Sequence, residues 1–322
     1  MKKKALVVGS VAFDILFAVH GTIRDRIVVK KGKLGPQNLM FTAGMKERRF
    51  GGTGANIAYG LGLLGAEPIL FASVGQDFKH EFKGHLEGLG VAAHVHEEEN
   101  DWTATFYGMS DEIKEQIGIW QPNAHLKLGH ISIEEKLGKK TLADVAVAIF
   151  SGAPSVICRH IKEVRKMLGR EVCIILDPGK MMTSSEDLKQ LKEGLALSDI
   201  FIVNDVELHQ AENFLGLSKE KILEMGPTAV IETKGEKGSV LYELGKTTSI
   251  PARKAKKVLE TTGAGDAYRA GLIYGILEGA DLASACRIGS YLGSKNVETV
   301  GGQTYVVDKE EFGNVRKLKD FL

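Results

Sequence analysis

Apolar runs of strand length recur along this chain at 5–9, 68–74, 145–151, 172–177, 200–204 and 229–233, and stretches with helical periodicity separate them. That alternation predicts a mainly parallel sheet covered by helices on both faces, a three-layer α/β/α fold. Several of the runs end in Gly, Asp, Asn or Ser, so small and polar groups collect at the carboxyl edge of the sheet, where open α/β sheets bind ligands. Two stretches, about 15–50 and 92–121, break the alternation, and the second carries the strand-forming run Trp102-Thr103-Ala104-Thr105-Phe106-Tyr107. They predict one small β appendage, discontinuous in sequence, placed over the sheet edge as a mobile lid on a single domain spanning 1–322.

Composition narrows the function classes. The 322 residues are 43% apolar and 26% charged, and 42 basic against 41 acidic side chains leave a net charge of +1. This gives no footprint for nucleic acid or a membrane surface. Cys158, Cys173 and Cys286 are scattered and odd in number, as expected of core thiols in a reducing cytoplasm. The basic start at 1–4 followed by an apolar run imitates a secretory signal, but Asp14 interrupts it.

Two motifs mislead. The glycines at 60, 62 and 65 match a dinucleotide-binding fingerprint but fall late in a helical stretch, where close helix packing is the better account. Gly245-Lys246-Thr247 resembles the end of a P-loop but lies between strand-like runs at 239–243 and 248–250, as a hairpin turn would.

The informative segment is Glu260-Thr261-Thr262-Gly263-Ala264-Gly265-Asp266, which opens an apolar helical pattern running to Leu277. Glycines at a helix start let backbone N–H groups approach an anion, and a carboxylate beside them can take a proton from a hydroxyl attacking a phosphate. A simple N-cap by Asp266 is the alternative with equal weight on physics alone.

Gly263-Ala264-Gly265-Asp266 resembles the C-terminal signature of the ribokinase-like (PfkB) carbohydrate and nucleoside kinases. Further matches follow in the order of that family: Val8-Gly9-Ser10 leading to Asp14, Gly51-Gly52-Thr53-Gly54-Ala55-Asn56, Asn204-Asp205-Val206-Glu207, and Thr233-Lys234-Gly235-Glu236-Lys237-Gly238. The resemblance implies a ribokinase-like fold and an anion hole from Gly263, Ala264 and Gly265, with Asp266 as base. It further implies substrate hydroxyls on Asp14 and Asn56, a hinge at Gly51 and Gly52, ATP against Asn204, Thr233, Gly235 and Gly238, and Mg²⁺ organised through water by Glu207. Taken singly, Glu207 reads as a solvated first-turn carboxylate and Asp14 as a strand-end polar residue. Potassium-activated members carry Asp where Glu260 stands, so the resemblance leaves monovalent-cation activation open.

The run continuing to Leu272, Asp177-Pro178-Gly179, and Gln116-Ile117 with Trp120 resemble the adenosine kinase branch. A flat base needs an apolar slot. Phe13, Phe41, Phe106, Tyr107 and Trp120 lie in or near the expected lid, and Phe13 and Trp120 are the preferred pair, the others serving to hold the lid together. The expected reaction is phosphorylation of the 5′-hydroxyl of adenosine or a related nucleoside, with a ribose or fructose kinase as the near rival. A silent nucleotide sensor and a nicotinamide oxidoreductase are the alternatives from other classes. A lid edge left open gives reason to look for a homodimer.

Overall fold

The computed structural model describes residues 4–27, 29–30, 33–34, 39–113, 115–179, 184–308 and 310–313. Residues 28, 31–32, 35–38 and 114 of the expected appendage, and residues 1–3 of the basic start, lie outside that set.

In chain order the elements are β1 (Lys4–Val8), β2 (Ala12–Val19), β3 (Val29–Lys30), β4 (Lys33–Leu34), β5 (Ala43–Gly51), α1 (Thr53–Leu63), β6 (Ile69–Gly75), α2 (Phe78–Glu87), β7 (Ala92–Glu98), β8 (Ala104–Ser110) and β9 (Gln116–Gln121). There follow α3 (Ile133–Leu142), β10 (Val145–Ser151), α4 (Pro154–Leu168), β11 (Cys173–Asp177), α5 (Ser185–Leu197), β12 (Ile200–Asn204), α6 (Asp205–Leu215), α7 (Lys219–Met225), β13 (Ala229–Thr233), β14 (Ser239–Glu243), β15 (Lys246–Ile250), α8 (Ala264–Leu277) and α9 (Leu282–Asn296).

Among the described residues the central sheet has nine strands in the order β15-β14-β13-β12-β11-β10-β1-β6-β7, parallel except where β14 joins β13 and β15. The inner strands are apolar without interruption because both of their faces are covered. Period-two alternation divides them between two cores. Val7, Leu70, Ile149, Ile175 and Ile231 pack with Ile57, Phe82, Ala270 and Leu292 of α1, α2, α8 and α9. Leu6, Phe71, Phe150, Leu176 and Val203 pack with Ile161, Leu191, Leu208 and Ile222 of α4 to α7. The fingerprint-like glycines belong to the first core: an added Cβ at Gly60 would stand 2.6 Å from the Ala270 Cβ, which is helix packing and no phosphate turn. Gly245 is the turn residue between β14 and β15.

A second sheet runs β5-β2-β8-β9, with β2 and β8 parallel and the other pairings antiparallel. Residues 92–98, read from sequence as part of the appendage, instead form β7, which pairs in parallel with β6 as the last strand of the central sheet. Its sequence, Ala-Ala-His-Val-His-Glu-Glu, is half polar because an edge strand is only partly covered, so it lacks the unbroken apolar run of its neighbours.

Cys158 and Cys286 are buried and Cys173 is half-buried, all as free thiols. No helix among the described residues is long and apolar enough to cross a membrane.

Candidate active site

The site is built at the start of α8. Gly263 is its N-cap in the left-handed region (φ 80°), and an added Cβ would lie 2.6 Å from the Gly302 Cα, so conformation and space both demand glycine there. The N–H groups of Gly265 and Asp266 fall in the first turn, where the helix has no acceptor for them, beside the positive end of its dipole. Asp266 stands on that turn, half-buried, and its Oδ2 accepts from Asn56 Nδ2 at 2.8 Å. Burial is the main reason its carboxyl is raised to about 6; Asp177 and Glu207 push the same way, while Arg269 and the Asn56 amide oppose them.

The opposing carboxylate comes from the small sheet. Ser10, after β1, accepts the Thr53 N–H through its hydroxyl (3.0 Å) and the Ala55 N–H through its carbonyl (3.0 Å), which fixes the start of α1 beside the start of β2. Asp14 on β2 is 7% exposed. It lies so close over β5 that a Cβ on Gly51 would fall 2.3 Å from its Oδ2. Burial, then repulsion by Asp266 and Glu260, raises Asp14 to about 7, with Arg49 alone opposing. Arg49 is cross-strand from Asp14, pairs with Glu47, and reaches to 4.0 Å from Glu260, whose Oε2 accepts the Gly301 N–H at 2.8 Å.

Asn204 and Thr233 pair at the ends of β12 and β13. The Gly235–Lys237 turn follows, closed by Lys234 N–H donating to the Gly238 carbonyl at 2.7 Å. Glu207 differs from the solvated carboxylate that its position alone suggests. It is 5% exposed and makes a reciprocal capping box with Asn204, each side chain accepting the other's backbone N–H, at 2.8 and 2.9 Å. Among the described residues no group of three His, Cys, Asp or Glu could hold a metal ion. A hard cation such as Mg²⁺ takes oxygen ligands and keeps its waters, so the Glu207 carboxylate at this edge suits an outer-shell role to a metal arriving with phosphate.

The pfkB family carbohydrate kinase model matches residues 4–309. The chain belongs to that family. It is 30% identical to a Methanocaldococcus jannaschii nucleoside kinase over 94% of this chain and 93% of that one, and 31% identical to a Methanothermobacter thermautotrophicus nucleoside kinase over 81% and 82%. Among solved structures it resembles a Burkholderia thailandensis nucleoside kinase in complex with inosine (27% identity, 98% of each chain, TM-score 0.81) and the same protein in complex with ADP-inosine (28%, 97% and 94%, TM-score 0.79). This PfkB kinase is therefore a phosphotransferase with an alcohol group as acceptor.

Of the two aromatic residues preferred from sequence, the PfkB fold brings only one to the face that carries Asp14. Strand alternation sends neighbouring side chains to opposite faces of a sheet. Asp14 shares its face with cross-strand Phe106 and, one strand further, Trp120, while Leu16 lies opposite Gly108 and Gly118. The two glycines leave space that the Phe106 ring partly fills, and Trp120 meets the edge of buried His125 at 6.1 Å. Phe13 is on the reverse face, under the Arg48 guanidinium at 3.7 Å and 5.4 Å from Phe82 of α2. There it borders a cleft of about 310 Å³ with Tyr107, Gln121 and Trp102. Phe13 is thus a core residue joining sheet to helix, not a partner of Trp120. Phe41 lies outside the strands, 5.1 Å below the Arg26 guanidinium.

Sequence reading also missed the support beneath Asp266. One turn on, Arg269 Nη2 donates to Asp177 Oδ1 at 2.6 Å in a pair 8% and 2% exposed, its Nη1 donates to the Gly265 carbonyl at 3.0 Å, and Ser151 donates to Asp177 Oδ2 at 2.6 Å. The pair ties α8 to the ends of β10 and β11. Removing one partner strands a buried charge, so Arg269→Met is expected to cost about 3–5 kcal/mol in urea unfolding, and adding Asp177→Leu to recover part of it. A cost below about 1 kcal/mol would show that the pair carries no such role.

Proposed function

We propose that this PfkB kinase transfers the γ-phosphate of Mg-ATP to the 5′-hydroxyl of a nucleoside. The observation that carries the reading is the single face of the small sheet on which a buried carboxylate, Asp14, is followed by an apolar floor of Leu16, Phe106 and Trp120. Carboxylate and floor suit the two halves of a nucleoside: hydroxyls of the ribose on Asp14 and Asn56, the flat base on Phe106 and Trp120. Similarity to nucleoside kinases along nearly the whole chain supports the same reading.

In this scheme Asp266 accepts the proton of the 5′-hydroxyl as its oxygen bonds to the γ-phosphorus and the bond to the ADP oxygen breaks. A carboxyl near 6 is mostly ionised at pH 7.5 yet more basic than an ordinary aspartate, which suits a general base. The Gly263–Gly265 turn brings the backbone up to the transferred phosphoryl oxygens, and the open first-turn N–H groups of Gly265 and Asp266 face them. Asn204, Thr233, Gly235 and Gly238 line the path of the nucleotide, and Glu207 would hold Mg²⁺ through water, the metal supplying neutralisation of phosphate charge. The small sheet acts as a lid swinging on Gly51 and Gly52, excluding water when substrate is bound.

The test is Mg-ATP turnover against adenosine, inosine, guanosine, cytidine, ribose and fructose. Nucleosides are expected to exceed free sugars at least 100-fold in kcat/KM, and Trp120→Ala to raise nucleoside KM by roughly tenfold with kcat nearly unchanged, the loss of one stacking contact. Preference for a free sugar, with Trp120→Ala silent, would overturn the nucleoside reading in favour of a sugar kinase.

A further inference from the structure

A chain of side-chain hydrogen bonds through Gln303 and His85, which the scheme above leaves unused, runs from the end of β5 by way of Asn56 to Asp266. Gln303, beyond α9, is 5% exposed. Its Nε2 donates to Asn56 Oδ1 at 2.9 Å and, at 3.4 Å, to the carbonyl of Gly51, the last residue of β5. Its Oε1 lies 3.0 Å from His85 Nε2. The Asn56 Nδ2 in turn donates to Asp266 Oδ2 at 2.8 Å.

The direction of the whole chain is set from one end. A backbone carbonyl can only accept, so the end of the Gln303 amide facing Gly51 is its NH₂ group. The second hydrogen of that group goes to Asn56 Oδ1, which leaves the Asn56 NH₂ group facing the carboxylate. At the far end Gln303 Oε1 needs a donor, and the His85 ring supplies its Nε2–H. That ring is stacked on Phe50 (centroids 4.3 Å apart) and Tyr59 (5.7 Å), and its burial disfavours protonation, so it stands neutral with one N–H.

We infer that Gln303 is a positioning residue for the base: it locks the Asn56 amide with N–H toward Asp266 and ties that orientation to the backbone carbonyl at the lid hinge. This rests on Asp266 being the base. A carboxylate that accepts an N–H is held in its ionised form. With Gln303 gone, Asn56 is free to turn its oxygen toward Asp266, an arrangement that only a protonated carboxyl accommodates. The charged groups acting on Asp266, namely Arg269 on its own helix, Asp177 on β11 and Glu207 on α6, keep their charges when Gln303 is exchanged for a neutral residue. So does Asp14 on the lid.

The experiment is the pH profile of kcat/KM for Gln303→Met, with Asn56→Ala and the double variant, alongside a ¹³C NMR titration of the Asp266 carboxyl carbon. Loss of the locked donor is expected to move the acid limb upward by roughly one pH unit. The deficit should be about fivefold at pH 6, approach tenfold below pH 5 and shrink toward pH 9, and Gln303→Met should add nothing in the Asn56→Ala background. Gln303→Leu carries the same expectation if the methionine variant does not fold. An unmoved limb, an unmoved NMR titration, or a deficit that is independent of pH and additive with Asn56→Ala would overturn the inference. Asp266→Asn separates the two readings: if it retains turnover, the base assignment itself fails, whereas if it is inactive while Gln303→Met titrates as wild type, only the role of Gln303 fails.

Discussion

Asp266→Asn is expected to lower kcat by about 10³-fold while ADP binding changes by less than threefold. The substitution keeps the shape of the side chain at the start of α8 but removes the basic oxygen that, in the proposed reaction, receives the hydroxyl proton. The N–H groups of the first turn and the Gly263 turn belong to the backbone, so the anion site persists and residual transfer reflects positioning and charge stabilisation alone. Single-turnover kinetics with calorimetric ADP binding separates the two effects. Retention of a tenth or more of the wild-type rate would sink the assignment of the base.

Asp14→Asn is expected to cut kcat/KM for the nucleoside by roughly 100-fold, the loss of charged hydrogen bonds to ribose hydroxyls, and yet to stabilise the ligand-free protein. Asp14 is raised to about 7 in the fold by burial and by Asp266 and Glu260, against an ordinary 3.8 when unfolded. Between those values the folded state holds a proton that the unfolded state has released, so stability falls as pH rises through this window and the full penalty stands above pH 7. An uncharged amide of the same size escapes the penalty. The gain in unfolding free energy is expected to be on the order of 1–3 kcal/mol at pH 8 and close to zero at pH 4. Urea unfolding at the two pH values reads it; a variant less stable than wild type at pH 8 would show that the buried carboxylate is compensated by groups other than Arg49. On the proposed reading, such a site trades stability for a charge that substrate hydroxyls satisfy.

The central sheet was legible because buried parallel strands leave unbroken apolar runs, and all six runs read from the sequence end within one residue of the strand observed. The edge strand β7 was not, since half-covered residues such as His94, His96 and Glu98 carry no such run. The Gly263–Asp266 turn was legible because a positive φ beside a helix start leaves a glycine mark. The aromatic pair was only half legible: composition offers five candidates, but which face each occupies depends on strand register, and counting alternately from Asp14 along β2 already excludes Phe13 from its face. Gln303, Arg269 and Asp177 lie 37, 3 and 89 residues from Asp266. Their partnership is set by packing across the sheet edge, to which local sequence pattern gives no access.

The most direct test of the central claim is the identity of the product. Inosine or adenosine incubated with Mg-ATP and the purified protein is expected to yield ADP and one nucleoside monophosphate in equal amounts, with the phosphorus in ³¹P NMR coupled to the two 5′-methylene protons and no product from the 5′-deoxy analogue. Phosphate appearing on another hydroxyl, product from the 5′-deoxy nucleoside, or transfer to free sugars alone would contradict the account.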